Sequence, residues 1–370
     1  MKKELRAIAA AAVIFALTLT ACQKKDTEFT GISDGLRYSE SYQIVFIAPE
    51  GVVYKGKDDM VHFRAEGTSE DIILCYDPNC IHEPASLYNP DPTCRAALFN
   101  TATTIAYYEG KIYYFVKENV REHKIYKGAV NGSGRSLIAE MPYTCDTLRG
   151  MMFYEDKMYY IVAERFEADD KGTLGKNSYI VEYDLKSNEY RLVTPVIRGM
   201  VLDMQMTKEY IYVRLADGED GGRLYVRRYN IETGEEEIFT TTDEYQSYRL
   251  VRAYENHCIY AYYSEKGEGV IMKDLGSGSE TVLIEADDGH TLSVSASGNG
   301  ILYKEFSVAE DGGIGLAKVG FYDLLAGETT DITEKAVEMG IRHYDGYNKV
   351  FICNNLYDIS VISEETILGR

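Results

Sequence analysis

The sequence predicts an all-β fold: a β-propeller of four-stranded antiparallel blades, seven in number, with six or eight as the neighbouring alternatives. Three observations predict it. A turn followed by an apolar-aromatic strand recurs at near-constant spacing, and a second row of turns runs in phase with the first. The composition also favours strands, with 32 tyrosines and no tryptophan in 370 residues. Aromatic and β-branched side chains suit pleated, half-buried surfaces.

The first row of turns reads APEGVVYK (48–55), YEGKIYYFV (108–116), YEDKMYYIV (154–162), TKEYIYVRL (207–215), YENHCIYAYY (254–263), SGNGILYKEF (297–306) and YDGYNKVFIC (344–353). The strand after each turn starts at Val52, Ile112, Met158, Ile211, Ile259, Ile301 and Val350, so the successive gaps are 60, 46, 53, 48, 42 and 49 residues. All of these anchors but Met158 are β-branched, and each copy has Gly, Asn, Asp or Lys where a hairpin must reverse.

The second row reads FRAEGTSEDIIL (63–74), YKGAVNGSGRSLI (126–138), YDLKSNEYRLV (183–193), YNIETGEEEIF (229–239), MKDLGSGSETVLI (272–284) and YDLLAGETTDI (322–332). A last copy, YDISVISEETIL (357–368), is degenerate. Each repeat is thus two hairpins, the pattern of a propeller blade, whose apolar faces are buried only when neighbours stack around an axis. Solenoid repeats are usually shorter, and sandwiches do not repeat in phase along a whole chain. Segment 36–46, LRYSESYQIVF, is placed to supply the first inner strand and an outer strand that closes the final blade.

The N-terminus gives an address. Lys2, Lys3 and Arg6 precede an apolar run from Ala7 to Leu19, too short to span a bilayer comfortably, which ends in Leu19-Thr20-Ala21-Cys22. That tetrapeptide matches the bacterial lipobox, which implies lipidation at Cys22 and removal of residues 1–21 as a signal peptide. Residues 22–35 then form a lipidated tether and 36–370 the propeller. Buried acyl chains anchor by about 0.8 kcal/mol per CH₂ group. No later segment is long and apolar enough to span. The expected location is the outer, extracytoplasmic face of a cell membrane, with the membrane itself a partner through the N-terminal lipid.

Charged residues make up 26% and apolar residues 45%, an ordinary globular balance. Residues 1–21 carry three cations and Glu4, so their removal takes the formal charge from −20 to −22. So acidic a surface repels phosphate backbones, and nucleic acid is excluded as a partner.

The first gap is about ten residues longer than the rest, and the excess falls in a cysteine-rich insert, 75–100, between the first two blades. It holds Cys75, Cys80, His82 and Cys94. Blade-to-blade connections share a face with the loops between second and third strands, a face that commonly carries ligand sites.

The lipobox, the YEGKIYY-type turns and the Cys-Asp-Pro-x-Cys-x-His…Cys element of Cys75, Asp77, Pro78, Cys80, His82 and Cys94 mark a resemblance. The mature chain resembles a group of uncharacterised β-propeller lipoproteins of gut-type Gram-positive bacteria, related in style to TolB-like and WD40-like repeats. The resemblance implies fold and address, and no activity.

Three thiolates and one imidazole make a complete tetrahedral set for a structural Zn²⁺, and Cys-x₄-Cys falls within zinc spacing. Pro78, Pro84, Pro90 and Pro92 would stiffen the insert. The alternative is a disulfide. A Cys80–Cys94 bridge closing about fifteen residues would contribute roughly 3 kcal/mol, and Cys145, in the next connection on the same face, is the weaker candidate for a further pairing. Spacing alone does not fix connectivity. Cys258 and Cys353 sit at strand positions and read as small buried hydrophobes.

Acidic loops at 164–176, 216–222 and 308–313 open on that face too, but none has the spacing of an EF-hand. The other histidines (His62, His123, His257, His290 and His343) form no HExxH pair. There is no GxSxG elbow, P-loop or GxGxxG element. The sequence therefore points to a binding or scaffold propeller for a protein, peptide or glycan. A metal-dependent propeller enzyme, lactonase- or lyase-like with carboxylates lining the funnel, is the alternative.

Overall fold

The chain divides into a short unit, Met1–Thr30, and a body, Gly31–Arg370. The computed structural model describes residues of the body from 45 to 363, apart from short internal stretches. The longest of these are 66–69, 89–92, 98–101, 118–122, 142–146, 168–173, 217–223, 240–246 and 339–343. The expected signal peptide, the expected tether and the expected lipidation site Cys22 lie outside the described residues.

The body is an all-β propeller. Six sheets, at 45–73, 102–140, 147–198, 200–239, 247–285 and 290–331, each hold four antiparallel strands in chain order. The third adds a short strand, Ile197–Arg198, on its third strand. In most neighbouring pairs the first strand of one sheet touches the first strand of the next, which makes the first strands innermost.

The expected seven four-stranded blades are corrected to six, followed by a sheet of three described strands at 344–363. The reason is local. The degenerate last copy has no Gly or Asn at the position where the other copies reverse, and its described strand ends at Ser363. Among the described residues one short helix, Thr333–Glu338, interrupts the strands, its first turn held by Asp331, which accepts from the Thr333 amide at 2.9 Å.

Each row of turns has its own chemistry. In blades two and three the first hairpin reverses through two left-handed residues: Glu109 and Gly110 (φ 46° and 75°), then Glu155 and Asp156 (φ 47° and 62°). Turns of this hand match the twist of the flanking strands. The second hairpin repeats a side-chain device. Asp184, Asn230, Asp274 and Asp323 each turn Oδ1 onto the amides two and three residues ahead, at 2.7–3.1 Å. The backbone then closes through left-handed Asn188, Gly234, Gly278 and Gly327.

The two rows are tied together. The amides of Leu185, Ile231 and Leu275 donate to the carbonyls of Asp156, Glu209 and Asn256 at 2.8–2.9 Å, joining the second turn of a blade to its first. Both turns therefore lie at one end of the blade. The loops between second and third strands, and the connections between blades, lie at the other.

Tyrosine fills the interfaces. Tyr159, Tyr160, Tyr183, Tyr212, Tyr229 and Tyr260 are among the largest fully buried side chains. Phe115 of blade two meets Tyr160 of blade three edge-on, with centroids 5.3 Å apart. Tyr212, Tyr248, Cys258 and Tyr260 pack together between blades four and five. Cys258 is fully buried, as its strand position implied.

Candidate functional site

The insert leaves blade one after its fourth strand, Asp71–Ile73, and blade two begins at Ala102. The chain bends at once, as the Cys75 amide donates to the Ile73 carbonyl at 2.8 Å. Asp77 then builds a tight turn around Pro78. Its Oδ1 accepts from the Asn79 amide at 2.9 Å, and its carbonyl accepts from the Cys80 amide at 3.1 Å. Proline fixes φ there, and aspartate bonds its own backbone two residues on.

His82 is left-handed, with φ 54°, an uncommon conformation for a residue with a β-carbon. It brings the imidazole back over the turn, with Nδ1 3.7 Å from Cys94 Sγ. The His82 amide donates to Cys80 Sγ at 3.4 Å.

Cys94 returns the insert to the scaffold. The Val61 amide donates to the Ala96 carbonyl at 2.8 Å, and Met60 bridges Ala97, so residues 94–97 lie against the start of the third strand of blade one. Met60, Cys94, Ala96 and Ala97 form a small apolar core of their own, with Ile73, Cys75 and Cys80 packed around it. Cys94 is buried, and Cys75, Cys80 and His82 are half-buried.

One donor atom from each of Cys75, Cys80, His82 and Cys94 lies within 4.8 Å of the other three. The sequence-predicted set is thus brought together complete. None of the described cysteines Cys75, Cys80, Cys94 and Cys258 is joined in a disulfide. Cys145 lies outside the described residues, and only the strand position of Cys353 is described. Burial, the largest effect, pushes the Cys94 thiol up to about 11. The amides of Ala96 and Ala97 pull the other way by bonding the sulfur, and the nearby Cys80 thiol adds to the rise.

Two features of the insert escaped sequence reasoning. One is the turn after Cys94, in which the Ala97 amide donates to the Cys94 carbonyl at 3.3 Å. The other is the apolar surface that the insert leaves in water: Tyr76 is 52% exposed, Ile81 77% and Tyr88 99%.

A second cluster joins Asp287, His290 and Glu305 at the inner strands of blade six. Glu305 is buried, and its Oε1 already accepts from the Asp287 amide at 2.7 Å and pairs with His290 Nδ1 at 2.8 Å. With its carboxylate spent on the turn that carries His290, this cluster works as a loop clamp. A cleft between blades two and three, lined by Tyr108, Lys111, Asp156, Tyr183 and Lys186, holds about 170 Å³. That is below the roughly 300 Å³ at which small-molecule sites begin. Among the described residues no helix is long and apolar enough to cross a membrane.

No protein-family model matches the chain, and no curated protein sequence does. Its likenesses are to solved structures. An oligogalacturonate lyase in complex with manganese is similar over 89% of this chain and 88% of its own, with a TM-score of 0.54 and 10% identity. One of two prolyl endopeptidases analysed for inter-domain dynamics is similar over 97% of this chain, also at a TM-score of 0.54, with 11% identity. TolB from Acinetobacter baumannii is similar over 74% of this chain and 65% of its own, at a TM-score of 0.37 and 14% identity. The chain spans about half the length of the peptidases it resembles, 44% of a Mycobacterium tuberculosis puromycin-hydrolyzing peptidase and 52% of the prolyl endopeptidase. At 10–11% identity the likeness to the lyase and the endopeptidase shows the propeller fold alone.

Proposed function

We propose that the chain is a lipid-anchored, extracytoplasmic binding propeller that takes a protein, peptide or glycan on the face carrying the cysteine-rich insert. The observation that carries this reading is the exposure of Tyr76, Ile81 and Tyr88 on an insert fastened to blade one at both ends. Large aromatic and apolar side chains exposed to water are what interface cores are made from. The lipobox at Cys22 supports the anchor, and the acidic surface argues against nucleic acid.

The test is to probe peptide and glycan arrays with the purified full chain and with a Tyr76→Ala/Ile81→Ala/Tyr88→Ala variant. Specific array binding is expected, weakened at least tenfold by the triple change. Equal binding by both proteins would overturn the reading. So would substrate turnover that depends on added Ca²⁺, Zn²⁺ or Mn²⁺, which is the result the lactonase- or lyase-like alternative requires.

The same reading closes the ring by pairing residues 36–44 along Asp358–Ser363, the edge strand of the three described in the last sheet. An unpaired outer strand is a template for association with other chains, and closing the ring removes it. Deleting 36–44 is expected to lower the melting temperature by several degrees and to promote concentration-dependent association. An unchanged melting temperature in a monomeric deletion variant would show that the ring closes otherwise.

A further inference from the structure

We infer that Cys75, Cys80, His82 and Cys94 bind one structural Zn²⁺ ion, which locks the insert onto blade one. The inference stands apart from ligand recognition and draws on four features of the cluster.

The first is convergence. A tetrahedral zinc with about 2.3 Å bonds to sulfur holds its donors roughly 3.7 Å apart. Cys94 Sγ and His82 Nδ1 already stand at 3.7 Å, and the whole set lies within 4.8 Å. Closing around an ion therefore takes movements of under about 1 Å, within the reach of side-chain rotation.

The second is the donor count. A disulfide between any two of the three cysteines would leave a third thiol and an imidazole crowded against it with no bond to make. Zinc uses all four. A set of three thiolates and one imidazole selects zinc over the hard cations, which prefer oxygen, and over square-planar Cu(II) or Ni(II). With four protein ligands no position stays open for water, so the ion is structural.

The third is sulfur hydrogen bonding. The His82 amide donates to Cys80 Sγ at 3.4 Å. A metal-bound sulfur keeps an outer hydrogen bond of this kind, which orients it. The fourth is the backbone of His82. Its left-handed conformation swings the imidazole towards Cys94, and non-glycine residues keep such conformations where the surroundings require them.

Among the described residues the insert is fastened at both ends and by little between. Its Cys75 end bonds Ile73, and its Cys94 end bonds blade one through Ala96 and Ala97. The cluster joins these two ends. Binding releases protons from the three thiols, and the resulting unit carries a net charge of −1, with three thiolates against Zn²⁺.

The experiment uses the full chain, extracted in detergent without chelator. Metal is measured by mass spectrometry, and thiols are alkylated under denaturing conditions before any reduction, then mapped by peptide. The expected result is one zinc per chain with Cys75, Cys80 and Cys94 all alkylated. Exchange with Co²⁺ should give the intense visible bands of a tetrahedral thiolate site. Cys80→Ser and His82→Ala are expected to lower zinc retention against a competing chelator by at least about tenfold. The six four-stranded sheets should keep their circular dichroism, since the insert lies outside them. If a variant fails to fold, chelation of the wild-type chain supplies the same comparison: zinc lost, strand signal kept, and proteolysis newly confined to 75–100. Absence of stoichiometric metal, a different stoichiometric ion, or an unreduced peptide linking any two of the three cysteines would overturn the inference.

Discussion

Raising the pH from 10 to 11 is expected to unfold the propeller. Burial, the largest cause at each site, pushes the Tyr113 and Tyr229 hydroxyls up to about 12, and those of Tyr159, Tyr212 and Tyr260 further still. All five side chains are at most 5% exposed. In the unfolded chain a tyrosine ionises near 10. Between 10 and the raised folded value the native state binds more protons than the unfolded one, so stability falls as pH rises. It is fully present below 10. Each tyrosine contributes a loss of up to about 1.4 kcal/mol by pH 11, and five together about 7 kcal/mol. A domain's whole stability is about 5–15 kcal/mol. Burial also pushes the Cys258 thiol up to about 12, which begins the decline nearer pH 9. The check is a pH titration followed by tyrosinate absorbance and far-ultraviolet circular dichroism. The two signals should change together and steeply. Gradual tyrosine ionisation centred near 10, with the strand signal intact, would show that these rings reach water in the native state.

The same interfaces separate what the sequence could say from what it could not. The turns were legible because they are local. A left-handed residue, or an aspartate able to bond its own backbone, is written at the position where it acts, as at Asp184, Asn230 and Asp274. The two rows gave the strand count of the six complete sheets for that reason. The last sheet was overcounted because YDISVISEETIL keeps the apolar alternation of its repeat but has no Gly or Asn where the other copies reverse. The insert was legible as a spacing of Cys and His, but its closure depends on Ala96 and Ala97 lying against blade one, a contact across more than thirty residues. Charge networks were the least legible part. Glu305 with His290, and Glu182 with Arg191, are each separated by nine or more residues and meet only because strand register places them side by side. A one-residue slip would send each to the opposite face.

Replacing Glu182 by alanine is expected to cost about 3 kcal/mol. Strand register in blade three sets Tyr159, Glu182 and Arg191 opposite one another on the second, third and fourth strands. The buried carboxylate accepts from Tyr159 Oη at 2.8 Å and from Arg191 at 2.7 Å, and Lys157 Nζ lies 3.3 Å away. Arg191 also donates to the Ile231 carbonyl at 2.9 Å, so the network ties blade three to blade four. Breaking a buried ion pair from one side costs about 3–5 kcal/mol. The lower end applies because Arg191 and Lys157 are 41% and 36% exposed and recover part of their hydration. Burial alone would raise the Glu182 carboxyl, but the bonds from Arg191 and Tyr159 and the charges of Arg191 and Lys157 outweigh it and hold it below its ordinary value. A depressed folded pKa means that this contribution is present above the unfolded value, near 4.3–4.5, and disappears as pH falls through the folded one. Urea denaturation of wild type, Glu182→Gln and Glu182→Ala should therefore diverge at pH 7 and draw together on acidification. The glutamine variant should lie between the other two, because it keeps an acceptor for Tyr159 and Arg191 and loses only the charge. If all three proteins denatured at the same urea concentration at pH 7, the network would be an ornament of the interface, and the join between blades three and four would rest on its tyrosines alone.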